Sequence, residues 1–292
     1  MGKLSFPRFV ASKLRKFSPR RGVEYTFMFA GLIIIAVFVF MALFASIIAP
    51  YDPNKIGVGG LYESPNFKFW MGTDGFGRDI LSRIFYGSRT VLLITLLSMA
   101  LSSLCGVLLG LLSGYVGGKF DTVLSLVMDS LYALPGLILA IALAVMLGQG
   151  IIPVTASLTV VYIPIYFRMI RGEVLSLKEN LFIEAARAIG AKDKTIIFKY
   201  LFPNVIPSLP IVLSLNAADA VLTLAALSFL GLGLPADIPD WGIDLRMGYG
   251  ELTSKIWWTG TFPGLMIVLL TLGFSLFGEG LTEILNPRLT RR

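Results

Sequence analysis

Residues 25–51 read YTFMFAGLIIIAVFVFMALFASIIAPY, a run of 27 residues without a charged side chain. A helix needs about 20 mostly apolar residues to cross a hydrocarbon core of about 30 Å, so this run is long enough to span a membrane. Seven basic residues precede it, as in a signal peptide, but the apolar part of a signal peptide has only about 7–15 residues. The sequence therefore predicts an uncleaved membrane anchor.

The rest of the chain repeats this pattern. Residues 90–118, 130–167 and 256–278 carry no charge, and residues 200–236 carry one, on Asp219. The second of these runs is too long for one span, and the turn signal Gly148-Gln149-Gly150 divides it. The sequence thus predicts an all-α, polytopic membrane protein with six transmembrane helices, near residues 27–49, 91–113, 123–147, 151–170, 207–231 and 260–280.

Composition excludes many functions. The 292 residues are 55% apolar and 15% charged, with a mean hydropathy of +0.79, whereas soluble domains are about 45–50% apolar and about 25% charged. With one cysteine and no histidine, the chain cannot build a disulfide framework, a histidine metal site or a Ser-His or Cys-His nucleophile pair. It contains no Gly-x-x-x-x-Gly-Lys-Ser/Thr run to bind ATP phosphates. We expect no metal and no cofactor in this chain.

The basic residues predict the orientation. Six spans place 18 of the 25 Lys and Arg residues on the side of the two termini, so both termini should be cytoplasmic. The net charge of +7 then reflects topology and implies no nucleic acid. The predicted organisation is a basic tail at 1–25, a first span at 26–50, an external loop at 51–89, a five-helix core at 90–283 that includes a cytoplasmic loop at 171–203, and a cytoplasmic tail at 284–292.

The external loop ends in residues 72–83, GTDGFGRDILSR. Glycines mixed with both charge signs predict a turn followed by a short amphipathic helix at the membrane surface. We expect Ile80, Leu81, Ile84 and Phe85 to face lipid. A contact with substrate is the alternative.

Two acidic residues fall within predicted spans, where an ionised group costs at least about 2.5–3.5 kcal/mol at the membrane centre. Asp219 lies in mid-span near Ser214 and Asn216, so it either faces a water-filled pathway or bonds to a neighbouring helix. Asp129 lies near the end of its helix, which favours a structural role. All four residues are candidates for a transport pathway.

The most informative loop reads SLKENLFIEAARAIGAKDKTIIFKYLFP, residues 176–203. It predicts two short helices separated by Gly190, which supplies the left-handed residue that ends the first. Asn180 should cap the first helix and Asp193 the second, which should run to Pro203.

The loop combines small and bulky side chains, as does a helix that fits a groove in a partner protein. Ala185 and Ala186 have little side-chain bulk. The bulky residues are Phe182, Ile183, Ile196, Ile197 and Tyr200. A helix lying on the lipid surface is the alternative.

Glu184-Ala185-Ala186, followed by Gly190 and Pro203, resembles the EAA signature of permease subunits of binding-protein-dependent ABC importers. Other stretches are similar to the C-type permease of dipeptide, oligopeptide and nickel importers. These are Gly72-Thr73-Asp74, Gly77-Arg78-Asp79, Ser82-Arg83, Gly87 with Arg89, residues 227–233, Asp240-Trp241-Gly242, Trp257-Trp258, Phe262-Pro263-Gly264 and Asn286-Pro287-Arg288.

The sequence departs from that pattern at four positions. Tyr200 and Phe202 stand where the signature has Ile and Leu, which keeps the side-chain bulk. Met71 stands where many relatives have a polar or His-containing lead into Gly-Thr-Asp, and Leu224 stands where many have an acidic residue. These two differences bear on which substrate is transported.

The resemblance implies a type I ABC importer permease fold with a cytoplasmic coupling helix, in the cell membrane. It implies as partners a second permease, two cytoplasmic ATPase subunits that bind ATP and Mg, an external substrate-binding protein and membrane lipid. Short peptides are the implied cargo, with oligosaccharides or nickel as alternatives. The implied ATPase-coupling residues are Phe182, Ile183, Glu184, Ala185, Ala186, Gly190, Ile197 and Pro203.

Two other functions fit a polytopic protein. A secondary transporter could be driven by ions through Asp129 or Asp219, but the sequence has no paired internal repeat with broken helices. A membrane-embedded enzyme would need a carboxylate pair or a nucleophile–base pair at helical spacing within the spans, and no such pair is found there.

Overall fold

The computed structural model of the chain describes residues 22–285. Its helices are α1 (Gly22–Ile48), α2 (Ile80–Val116), α3 (Gly118–Tyr132), α4 (Gly136–Leu147), α5 (Ile151–Leu177), α6 (Leu181–Ala188), α7 (Asp193–Phe229), α8 (Trp241–Glu251) and α9 (Trp258–Leu285). Most of the predicted basic tail, nearly all of the predicted C-terminal tail and the Asn286-Pro287-Arg288 motif lie outside the described residues.

Five of these helices, α1, α2, α5, α7 and α9, are long and apolar enough to cross a membrane. Helices α3 and α4 pass the same test together, but they meet at an angle of 92°. Helices α2 and α5 run parallel, because Gly106 lies against Tyr166 and Gly114 lies against Val174. The chain must return between them, so α3 and α4 together form one crossing. The predicted all-α protein with six spans is confirmed.

The third span differs from its prediction as a single helix over 123–147. It breaks at residues 133–135, where Pro135 precedes the first residue of α4. Proline has no amide hydrogen and disfavours a helical conformation at the residue before it, so α3 ends there. The turn at 148–150 separates α4 from α5, as predicted.

The predicted interfacial helix is wrong. Residues 80–89 are the first turns of α2, whose 37 residues extend about 55 Å, well beyond a hydrocarbon core of about 30 Å. Ile80, Leu81 and Ile84 are buried in the protein, and the indole of Trp241 donates to the Ile84 carbonyl at 3.1 Å. These side chains therefore pack against other parts of the chain rather than against lipid.

The second loop helix does not end at Pro203, because it continues into the fifth span as α7. Its segment Ile196–Leu201 is a π-helix, and Ile206–Ser208 is a 3-10 turn. These irregular turns accommodate prolines that lack an amide hydrogen. Lys192 is the N-cap residue, so the expected cap by Asp193 is also corrected.

The two ends of the bundle are built differently. At one end, residues 49–79 and 230–257 fold together into what we call the cap. At the other end, residues 178–208 form what we call the helical loop. Leu285 lines a notch beside Glu173 and Ser208, and Met28 lies against Gly280, so both described chain ends lie at the helical-loop end.

Candidate functional site

Helix α6 has the predicted boundaries. Asn180 is its extended N-cap residue, although the Asn180 side chain donates to the Ser176 carbonyl instead of accepting from the helix. Gly190 has φ +81°, which confirms the predicted left-handed residue. No atom lies within 4 Å of the position that a Gly190 side chain would occupy, so glycine is needed there for its backbone conformation.

One face of α6 is buried against the spans. Ile183 is fully buried and Ala186 nearly so, and both Ile196 and Ile197 of α7 are also buried. The three isoleucines belong to one apolar cluster with Val107, Leu111, Ile170, Val174, Leu201 and Val205. Ile183 and Ile197 therefore hold the helical loop on the spans, and Ala186 is buried within the chain, which corrects the expectation that these three residues contact a partner.

The opposite face of α6 is exposed and apolar. Leu181 and Ile189 are 80% and 81% exposed, Phe182 is 42% exposed, and Ala185 lies between them. Leu181 and Ile189 were missed in the sequence, although their spacing of four residues on either side of Ala185 indicates one helical face. The remaining predicted coupling residues, Glu184, Gly190 and Pro203, are also exposed.

Polar contacts also tie the helical loop to the end of α2. The hydroxyl of Tyr115 donates to Asp193 Oδ1 at 2.5 Å, and the guanidinium of Arg187 lies 5.6 Å from the centre of the Tyr115 ring. Lys178 Nζ donates to the Gly114 carbonyl at 3.0 Å. We call the Tyr115–Asp193 hydrogen bond the polar clip. No sequence signal pointed to it, because 78 residues separate its two members.

Asp219 lies on an exposed face of α7. Its Oδ2 accepts a hydrogen bond at 2.7 Å from the hydroxyl of Tyr162, and that hydroxyl also lies 3.3 Å from Thr223 Oγ1. Among the described side chains, no Lys or Arg forms an ion pair with Asp219. The hydroxyl of the buried Tyr162 thus orients the carboxylate, which lies on the exposed face of α7.

The other pathway candidates lie in different environments. Ser214 is buried against Gly278 and donates to the Pro210 carbonyl, about 140° around the helix from Asp219, so the structure does not group the two. Asn216 is half-buried, and its Nδ2 has no hydrogen-bond partner among the described residues. Asp129 forms an ion pair with Arg168 at 2.7 Å, in keeping with a structural role.

The cap contains a buried polar network that the sequence did not predict. The side chain of Arg83 is 1% exposed and forms an ion pair with Asp244 at 2.7 Å. Asp79 accepts from the backbone and hydroxyl of Ser82 and so caps α2. The indole of Trp258 donates to the Thr73 carbonyl at 3.2 Å. The cap is thereby fixed to the first turns of α2 and α9.

Asp240 caps α8 by accepting from the Ile243 amide at 3.0 Å. It is fully buried, and its Oδ2 lacks a hydrogen-bond partner among the described residues. Burial raises the pKa of Asp240 to about 6, because the charged form loses its hydration.

Residues 22–285 contain no group of three or more His, Cys, Asp or Glu side chains placed to hold a metal ion. The geometry offers instead two surfaces at different depths. These are an apolar helix face at one end of the bundle and an outward carboxylate within a span.

Two protein-family models match the chain. Residues 106–291 match the family described as binding-protein-dependent transport system inner membrane component, and residues 27–65 match the N-terminal transmembrane domain of oligopeptide transport permease C. A dipeptide transport system permease protein of Alkalihalophilus pseudofirmus is 37% identical over 259 residues, which are 89% of this chain and 85% of the relative.

Two further relatives match over similar lengths. A glutathione transport system permease protein of Pectobacterium atrosepticum is 35% identical over 96% of this chain and 93% of its own. A di/tripeptide transport system permease protein of Pseudomonas aeruginosa is 37% identical over 89% of this chain and 87% of its own. The chain therefore belongs to the family of inner membrane components of binding-protein-dependent transport systems.

Proposed function

We propose that this chain is a non-catalytic permease subunit of an ATP-driven importer of short peptides. A second permease completes the translocation pathway, two cytoplasmic ATPase subunits bind ATP and Mg, and an external substrate-binding protein delivers the cargo. The helical loop and both termini are cytoplasmic, and the cap is external, as the distribution of basic residues favours.

The two-faced packing of α6 carries this proposal. Ile183 packs the helix against the spans and Ala186 is buried, whereas Leu181, Phe182, Ala185 and Ile189 leave an apolar face open at the end of the molecule. A short helix whose outer face combines bulky residues with alanine suits insertion into a groove of a partner protein. We assign that groove to an ATPase subunit.

The bent pair α3–α4 supports an interface with a second permease. Large apolar side chains are exposed along both helices, including Val123, Leu126, Leu137, Ile138 and Met146. Ion pairs of Asp121 with Arg171 and of Asp129 with Arg168 connect α3 to α5. We place the pathway between the two permeases, with Asp219 facing it, and lipid on the outer faces of α1 and α9.

The ATPase contact can be tested with Ala185→Trp, because Ala185 is small and exposed. Overpacking at a tight interface costs about 1–3 kcal/mol, so the ATPase subunits should co-purify poorly with this variant. Ala236→Trp, at an exposed alanine in the cap, is the matched control and should retain them. Unchanged co-purification of Ala185→Trp would favour a helix that lies on lipid.

The role of Asp219 can be tested with Asp219→Asn. This change keeps a hydrogen-bond acceptor for Tyr162 but removes the charge. If the carboxylate faces the pathway, uptake should fall while the complex still assembles. A variant that no longer assembles would mean that Asp219 is a structural group.

The choice of short peptides rests on the relatives, whose names specify dipeptides, di/tripeptides and glutathione. Oligosaccharides and nickel are the competing cargoes. Affinity measurements on the partner substrate-binding protein with panels of peptides, sugars and nickel would distinguish them. Tight binding of a sugar or nickel, without peptide binding, would overturn the peptide assignment.

A further inference from the structure

A closed turn in the cap, residues 65–70, presents two bare aromatic rings. Asn66 Oδ1 accepts from the backbone amides of Lys68 and Phe69 at 2.8 and 2.9 Å. The backbone amide of Asn66 donates to the Phe69 carbonyl at 2.8 Å. Asn66 Nδ2 also donates to Glu63 Oε1 at 2.9 Å. These bonds fix the backbone of the turn, so the turn holds the side chains of Phe67 and Trp70 in their exposed positions. We call residues 65–70 the aromatic turn.

The aromatic side chains of this turn have opposite environments. Phe69 is 1% exposed and packs on Tyr51, with ring centres 5.5 Å apart. Phe67 is fully exposed and Trp70 is 72% exposed, and a notch of about 380 Å³ lies between them and Pro65. Buried Phe69 holds the turn in place, while Phe67 and Trp70 are largely exposed.

The position of the turn is fixed relative to the spans. Tyr51, which packs on Phe69, follows the last residue of α1 by only three residues. On the other side, Trp258 is the first residue of α9, and its indole donates to the Thr73 carbonyl. The aromatic turn therefore stands where α1 and α9 leave the membrane.

The two helices that adjoin the turn expose apolar side chains of the kind that faces lipid. Helix α1 exposes a stripe of large apolar side chains along its length, namely Ile33, Val37, Phe40, Leu43 and Ile47. Trp257, which is 49% exposed beside Phe262, lies at the start of α9. Because the aromatic turn stands where α1 and α9 leave the membrane, its two rings lie at the level at which membrane proteins concentrate aromatic side chains.

We propose that Phe67 and Trp70 insert among the phospholipid headgroups of the outer surface of the membrane and anchor the cap there. The ammonium of the exposed Lys68, which lies 5.0 Å from the centre of the Phe69 ring, then pairs with lipid phosphates. The amphipathic indole of Trp70 favours this boundary, the apolar ring of Phe67 adds buried area, and the neighbouring cation adds attraction to anionic lipids. The anchor is independent of which partner docks on α6.

The position of Trp70 can be measured by fluorescence quenching of the complete transporter in nanodiscs. The emission difference between the wild type and Trp70→Phe isolates the signal of Trp70. Brominated phospholipids should remove more than half of that signal, and aqueous iodide should remove little of it. Lys68→Gln should reduce the quenching by brominated anionic lipid more than the quenching by brominated zwitterionic lipid.

Other results would overturn the proposal. Strong quenching by iodide without quenching by brominated lipid would place Trp70 in water. Protection from both quenchers would place it under another subunit. A third test adds the substrate-binding protein to the wild type and to Phe67→Ala. A tenfold loss of its affinity in Phe67→Ala, with unchanged lipid quenching of Trp70 in that variant, would assign Phe67 to protein docking instead.

Discussion

The cap and the helical loop are held on the same bundle by different forces. The cap relies on buried polar groups, such as the Arg83–Asp244 ion pair and the indole hydrogen bond from Trp241 to the Ile84 carbonyl. The helical loop relies on an apolar cluster around Ile183 and Ile196, with the polar clip at its exposed edge. Polar networks specify one geometry, whereas apolar contacts tolerate small shifts of the packed elements.

This difference suits the proposed roles of the two ends. A cap that receives a binding protein needs a fixed shape, and it is attached to the first turns of α2 and α9. A loop that couples to ATPases must follow their movement while it stays attached to the spans. Helix α2 connects the two, because its first turns are attached to the cap and its last turn carries Tyr115.

The largest effect should come from breaking the cap's ion pair. Arg83→Met leaves Asp244 buried without its partner, and removing one member of a buried pair costs about 3–5 kcal/mol. We expect a large drop in the thermal unfolding temperature of the purified complex. The double variant Arg83→Met, Asp244→Leu should recover much of the loss. Arg246→Met, at an exposed arginine of the same cap, should change little.

Asp240 gives the stability of the cap a pH dependence. Its folded pKa of about 6 lies above the ordinary value of 3.8, so the folded state binds the proton more tightly than the unfolded state does. Stability should therefore fall as the pH rises from about 4 to about 6 and level off above that, by roughly 2–3 kcal/mol.

Asp240→Asn tests this sign. Asparagine keeps an oxygen that can accept from the Ile243 amide but does not titrate, so the variant should lose that part of the pH dependence. Unfolding temperatures measured across this pH range for both proteins would decide the matter. Identical pH profiles would mean that Asp240 does not titrate between these values.

The two regions also differ in how far the sequence could predict them. Charge-free runs predicted the spans, because a membrane excludes charge along its whole thickness. The loop pattern around Gly190 predicted the boundaries of α6, because caps and left-handed residues are local features. Which side of α6 is buried could not be predicted, because it depends on contacts with Leu111 and Val174, which lie on other helices.

The cap was the least predictable part for the same reason. Arg83 and Asp244 are 161 residues apart, and nothing local marks them as partners. The apolar pattern of residues 80–89 suits either lipid or a protein interior, so the pattern alone cannot distinguish the two. In the third span, Pro135 is a local signal for the break, and the glycine turn at 148–150 is the stronger signal of the two.

A smaller effect is expected at the turn of the helical loop. Gly190→Val places a β-branched residue at φ +81°, which costs about 1–2 kcal/mol or more, whereas Gly190→Ala should cost less. Hydrogen exchange of amides 181–201 should accelerate in the order Ala, then Val. Gly190→Asn should resemble the wild type more closely, because asparagine adopts left-handed conformations. Equal exchange in all variants would show that the turn is not strained by a side chain.

The smallest effect, and the most specific one, should come from the polar clip. Tyr115→Phe keeps the ring against Arg187 but removes the hydroxyl that donates to Asp193, and an exposed hydrogen bond of this kind contributes about 1 kcal/mol. Since the apolar cluster remains, the variant should fold and retain its ATPase subunits, but it should transport less substrate per ATP hydrolysed.

Tyr200→Phe is the matched control, because the Tyr200 hydroxyl has no hydrogen-bond partner among the described residues. Asp193→Asn weakens the same hydrogen bond, so the double variant should be no worse than the more impaired single one. Additive losses, or a Tyr115→Phe variant that couples as well as the wild type, would mean that the apolar cluster alone connects the helical loop to α2.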